Sequence, residues 1–150
     1  MSMTHSSVSV HLLFALMALC TVSCGGQPTG PGVIDPDAPE EFTTTESGLK
    51  YRVLRRSDGP KPTAADEVTV DYSGWLDNGQ VFDSSYNSQQ PVTFNLSQVV
   101  PGWNEGLQYV GEGGMIELVI PAELGYGSRS LPGIPPDSTL HFKVELHEVH

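Results

Sequence analysis

The chain has 150 residues, 38% of them hydrophobic, enough for one folded domain of ordinary size with extensions but cramped for two. Its formal charge of −11, from 18 acids against 7 bases, argues against nucleic acid and anionic membrane surfaces as partners, since both demand the opposite sign. Both cysteines, Cys20 and Cys24, fall near the N-terminus, so no disulfide staples the later sequence.

In chain order, the first 23 residues carry no Asp, Glu, Lys or Arg, and Val10 to Val22 is almost continuously apolar. That run is short for a membrane span and is followed by small residues and a Cys, so residues 1–23 are expected to be an export signal. Thr21-Val22-Ser23-Cys24-Gly25 resembles a bacterial lipobox, with Thr21 where Leu is usual and no Lys or Arg ahead of the apolar run. Two readings follow: lipidation at Cys24, which would anchor the mature chain, or ordinary cleavage nearby, which would release it. Residues 25–46 hold Pro28, Pro31, Pro36 and Pro39, four glycines, five acids and no base. This composition buries too little apolar surface to repay ordering, so 24–46 is expected to be a flexible spacer before a domain at 47–150.

Period-two alternation dominates the rest. Leu49, Tyr51 and Val53 form one apolar face; Val68, Val70 and Tyr72 a second; Val92, Phe94 and Leu96 a third. Asp77-Asn78-Gly79-Gln80 marks a tight turn, because Asn-Gly tolerates the positive φ angles a short hairpin needs. A helix is predicted from Pro101, which suits the first helical position, to about Tyr109, with Trp103, Leu107 and Val110 on one face and Gly111 as its stop. Ile116, Leu118 and Ile120, then Leu140, Phe142, Val144 and Leu146, complete the strands, while 84–90 and 125–137 read as irregular loops. The expected fold class is α+β, an antiparallel, strongly twisted sheet wrapped around one short α-helix, with Trp103 between the two.

Four blocks in this order resemble the FKBP-type peptidyl-prolyl isomerases: Val70-Asp71-Tyr72-Ser73-Gly74; Gly79-Gln80-Val81-Phe82-Asp83-Ser84-Ser85; Val99 through Leu107; and Leu118 to Leu146 with its Gly125-Tyr126-Gly127 and Pro132-Gly133-Ile134-Pro135-Pro136 segments. The resemblance covers about residues 47 to 148 and is nearest to exported bacterial members. It implies isomerisation of X–Pro bonds without metal or cofactor, with Tyr72, Asp83, Trp103, Tyr126 and Phe142 as the catalytic set. It further implies that Phe82, Phe94, Val99, Val100, Ile134 and Leu131 bind substrate, with the proline ring on the Trp103 floor. The Val100 N–H and Tyr126 hydroxyl are implied as holders of ligand carbonyls. Partners would be proline-containing folding polypeptides and macrolides, in the cell envelope or secreted. Ser88, Val92 and Leu131 depart from the family's usual Arg, aromatic and bulkier group. No domain is inserted between Asp83 and Phe94 and no helical arm is present, so a monomer is expected.

Three other readings are open on the residues alone. Ser84 and Ser85 could suggest a nucleophile, but no His stands with a matching Asp to activate either. His147 and His150 would face opposite sides of a strand, which makes a poor metal cage. A proline-peptide binder or holdase without turnover is the competing class of function.

Overall fold

Seven strands make one antiparallel sheet in the computed structural model, which describes residues 30–150. The expected export signal and Cys24 lie outside the described residues. The strands are Thr43–Thr44 (β1), Lys50–Arg55 (β2), Glu67–Leu76 (β3), Val81–Ser84 (β4), Val92–Asn95 (β5), Met115–Ile120 (β6) and Leu140–Val149 (β7). They run in the order β1-β2-β6-β7-β3-β4, with β5 also on β3. The ten-residue strands β3 and β7 pair along their lengths, from Val68 opposite Val149 to Leu76 opposite Leu140. β5 then takes the first half of β3 and β4 the second.

Alternation along β3 turns Val68, Val70, Tyr72, Gly74 and Leu76 to the core side, and Ser73 and Trp75 to the other. Val68, Val70, Leu118, Ile120, Leu140 and Val144 are wholly buried, each such side chain contributing about 1.5–3 kcal/mol over leaving it in water. The helix Pro101–Gly106 (α1), with Pro at its start, lies across this face and tightens into a 3₁₀ turn over Leu107–Tyr109. Gly102 and Gly106 allow this approach: a Cβ at either would stand 2.5 or 2.6 Å from the side chains of Ile120 and Leu118 on β6. Trp103, Leu107 and Val110 are buried as the 3.6-residue period predicts.

Four details differ from the sequence expectation. The helix ends where Val110 turns extended, not at Gly111; Gly111 is instead pressed against the Gly59 carbonyl, where a Cβ would sit 2.5 Å away. In the 77–80 turn only Gly79 has positive φ, 81°, and the Gly79 N–H bonds to the Leu76 carbonyl while Leu76 N–H bonds to that of Gln80. This is a three-residue connection ending in a glycine bulge rather than a two-residue mirror-image turn. β4 was not foreseen, because Val81 is exposed and a four-residue strand leaves little alternation to read.

The fourth difference concerns the expected spacer. β1 lies within it, and residues 32–42 are tied to the domain. Asp35 N–H bonds to the Leu54 carbonyl at 2.8 Å, Arg56 pairs with Asp37 at 2.9 Å, and Arg52 donates to the Glu40 carbonyl at 2.8 Å with its guanidinium over the Phe42 ring. Gly32 N–H donates to Glu145, which also receives Arg55 and the Tyr86 hydroxyl. Val33 stays 82% exposed, so apolar burial is not what holds the strap. Its acids and carbonyls meet arginines of β2 and its end, a pairing that composition alone does not reveal.

Candidate active site

The site begins at the glycine in the middle of β3. A Cβ on Gly74 would stand 2.6 Å from Phe142 and 2.7 Å from Phe82, so only its missing side chain lets these two rings meet, edge to face, at 5.5 Å. Phe142 is opposite Gly74 on β7 and Asp83 opposite it on β4. Two residues earlier, Tyr72 points to the same side. From α1, Trp103 enters beneath them, 4% exposed.

The Trp103 ring is met by three others, all nearly perpendicular to it. Tyr72 lies at 5.3 Å and 87°, Phe94 at 5.4 Å and 82°, and Phe142 at 5.2 Å and 83°. Edge-to-face pairs place the positive ring edge against the negative face, each favourable by about 0.5–1.5 kcal/mol beyond burial. Three walls standing on one floor make a box, and its cavity is about 490 Å³.

Tyr72, Phe82, Asp83, Phe94, Val99, Val100, Trp103, Tyr126 and Phe142 line the cavity together. Leu131 and Ile134 do not. They bridge to each other across Pro132-Gly133, with Gly133 at φ 80°, and this turn carries Ile134 into the core at 6% exposure. Gln98, Pro101, Gly125 and Arg129 line it as well. Of these, Arg129 left a trace in the sequence, being the only base between Lys61 and Lys143.

Polar groups in the box are few. The Tyr72 hydroxyl donates to Asp83 Oδ2 at 2.6 Å. Burial, and then the Asp83 carboxylate, push the Tyr72 hydroxyl well above the usual tyrosine range, so it remains a donor at neutral pH. The Tyr126 hydroxyl and the Val100 N–H have no hydrogen-bond partner among the described residues, leaving two donors at the cavity for a ligand's carbonyls.

Ser85 is 3% exposed and is held by backbone duty: it donates to Asp71 Oδ1 at 2.6 Å and accepts from Tyr72 N–H at 2.9 Å. His147 binds the other Asp71 oxygen at 2.8 Å. The carboxylate stands between imidazole and hydroxyl, the wrong order for a histidine base acting on a serine. His150 faces Thr69 Oγ1 at 2.9 Å and Glu148 at 3.8 Å. Among the described residues no three His, Cys, Asp or Glu side chains are grouped to hold a metal ion.

A helix-wrapping antiparallel sheet with an open aromatic box, two free donors at the box and, among the described residues, no serine activated by a histidine defines a receptor for a small apolar ring flanked by amides. The family model described as FKBP-type peptidyl-prolyl cis-trans isomerase matches residues 59–147. FkpA of Escherichia coli (strain K12), named as an FKBP-type peptidyl-prolyl cis-trans isomerase, is 49% identical over 106 residues, 71% of this chain and 39% of that protein. The outer membrane protein MIP of Legionella longbeachae is 47% identical over 104 residues, 69% of this chain and 45% of that protein. The crystal structure of E. coli FkpA superposes with a TM-score of 0.71 at 47% identity, covering 74% of this chain and 52% of the other. That of AtFKBP13 gives 0.68 at 35% identity, covering 73% and 99%. The chain belongs to the FKBP-type peptidyl-prolyl cis-trans isomerase family. It matches less than half the length of FkpA and MIP.

Proposed function

We propose that this chain accelerates cis–trans isomerisation of X–Pro bonds in polypeptides folding outside the cytoplasm. The observation that carries the reading is the Trp103 floor with Tyr72, Phe94 and Phe142 standing on it, an apolar aromatic surface on which a pyrrolidine ring can lie. Rotation about the peptide bond faces about 18–20 kcal/mol because the twisted amide loses resonance, and the twisted state is less dipolar than the planar one. Aromatic walls that strip water from the planar amide raise the ground state more than the transition state, so the barrier falls without a covalent step. The Tyr126 hydroxyl and Val100 N–H hold carbonyls on the bound peptide while the bond turns, an orientation effect. The hydrogen bond from Tyr72 to Asp83 fixes one wall, and Phe82 closes against Phe142.

The same pocket suits macrolide ligands of the family. Export is supported by the apolar, uncharged start of the sequence and by the name of the outer membrane relative. Lipidation at Cys24, cleavage there, and a monomeric state belong to this proposal, and mass spectrometry of the mature N-terminus decides the first two. A protease-free isomerisation assay on a short X–Pro peptide tests the activity. The wild type is expected to accelerate exchange and Trp103→Leu and Asp83→Ala to lose most of that acceleration. No acceleration by a folded wild type refutes catalysis and leaves the proline-binding or holdase function.

A further inference from the structure

The seven bases of this acidic chain include four arginines. Three are paired: Arg52 with Glu117 at 2.7 Å, Arg55 with Glu145 at 3.0 Å, and Arg56 with Asp37 at 2.9 Å. Arg129, the fourth, has no ion pair among the described residues, although Glu123 stands only six positions earlier. It is exposed, yet it lines the aromatic cavity. Its guanidinium lies over the Tyr126 ring, 5.9 Å from the centroid, and its Nε makes one long bond, 3.5 Å, to the Tyr126 carbonyl. A guanidinium has five N–H donors, so most of its hydrogen-bonding capacity faces outward.

We propose that Arg129 is a specificity residue that favours an acidic side chain immediately before the proline; this rests on the isomerase reading above. The carbonyl of the turning amide belongs to the residue before proline. With that carbonyl on the Tyr126 hydroxyl, the same residue's side chain starts one atom away, beside the ring on which Arg129 lies. A glutamate there reaches a guanidinium already oriented by its ring and meets no internal carboxylate competing for it. The cavity's other charge, Asp83, is occupied by the Tyr72 hydroxyl. In a chain of net charge −11, an acidic client is otherwise repelled. Arg129 supplies the one positive charge among the residues that line the cavity where the client must bind.

The test compares kcat/KM for peptides with Ala-Glu-Pro-Phe, Ala-Gln-Pro-Phe and Ala-Lys-Pro-Phe cores, in wild type, Arg129→Gln and Arg129→Glu. The readout is the Glu/Lys ratio within each protein, in which any general loss of activity cancels. At low salt the wild-type ratio is expected to be about threefold, the range of an exposed charge pair, and to shrink toward one at high salt. Arg129→Gln brings it to one or below, and Arg129→Glu lowers it further. Equal acceleration of all three peptides by the wild type, or a ratio unmoved by both substitutions, overturns the specificity role while leaving the isomerase reading intact. Acceleration of none of them overturns both.

Discussion

The Tyr72–Asp83 hydrogen bond can be measured by a double-mutant cycle. Tyr72 is 8% exposed and its hydroxyl lies 2.6 Å from a carboxylate whose residue is exposed. A hydrogen bond to a charged group is worth about 1.5–3 kcal/mol net, and the solvation of Asp83 places this one at the lower end. Tyr72→Phe keeps the ring edge-on to Trp103 and removes only the donor, so it is expected to cost about 1–1.5 kcal/mol in denaturant unfolding. Asp83→Ala should cost about 1 kcal/mol, because water can replace the carboxylate at the cavity mouth. The double variant is expected to be about 1 kcal/mol more stable than the sum of the singles predicts. Asp83→Asn, which keeps an acceptor but drops the charge, falls between wild type and Asp83→Ala. In the isomerisation assay Tyr72→Phe should lower kcat/KM about fivefold, equivalent to about 1 kcal/mol of transition-state binding. A coupling within about 0.3 kcal/mol of zero, with full activity in Tyr72→Phe, refutes the claim that this bond sets the wall.

Alkaline stability follows from the buried Tyr72 and the half-buried Tyr86. Burial comes first in raising both hydroxyls, aided by Asp83 for Tyr72 and by Glu145 for Tyr86, so the folded chain holds protons that the unfolded chain releases near pH 10. Stability is therefore fully present below pH 10 and falls above it, and Tyr86→Phe should flatten that fall in pH-dependent unfolding; an unchanged slope counts against it. On the acid side, burial raises the Glu145 carboxyl but the Gly32 N–H, Tyr86 hydroxyl and Arg55 together lower it further, so its contribution is present above its ordinary value of 4.5 and lost as pH falls below it. Glu145→Gln is expected to weaken that acid loss and to speed amide exchange across 32–42, and unchanged exchange there means the strap is held elsewhere. Gly74→Ala forces a Cβ into Phe142 and Phe82 and should cost about 1–3 kcal/mol as those rings shift. Proline-peptide affinity, by titration, should fall with it, and an unaltered affinity would mean the box does not depend on this close approach.

What the sequence made legible was periodicity. Val68-Val70-Tyr72 and Leu140-Phe142-Val144-Leu146 are long alternating runs whose inner faces must meet a core, and Pro101 with Trp103, Leu107 and Val110 could only be a helix lying on them. The four sequence blocks hold eight of the residues that share one cavity, and the alternating run at 92–96 holds the ninth, Phe94. Leu131 and Ile134 were placed in it because they sit in a matching block, but a positive-φ turn at Gly133 decides where such side chains go, and alternation does not encode it. Arg129, an exposed base in a Gly-rich loop, has no period by which the sequence could mark it. The strap escaped for a related reason: its contacts are ion pairs and carbonyl bonds between segments about 12 to 113 positions apart, which composition averages away.

That strap changes how far the domain can stand from an anchor. Fully extended at about 3.1 Å per residue, the 22 residues after Cys24 would reach roughly 70 Å. With Gly32 bonded to Glu145, only seven residues separate the held strap from Cys24, and the eight steps between them span at most about 29 Å at about 3.6 Å each. Should Cys24 carry lipid as proposed, the domain is kept near the surface, and the side it presents becomes a matter of chain direction. Gly30 and Pro31 share a groove with Ser73, Trp75 and Lys143. On β3 these side chains alternate with Tyr72 and Gly74, so the chain leaves from the face of the sheet opposite the aromatic box.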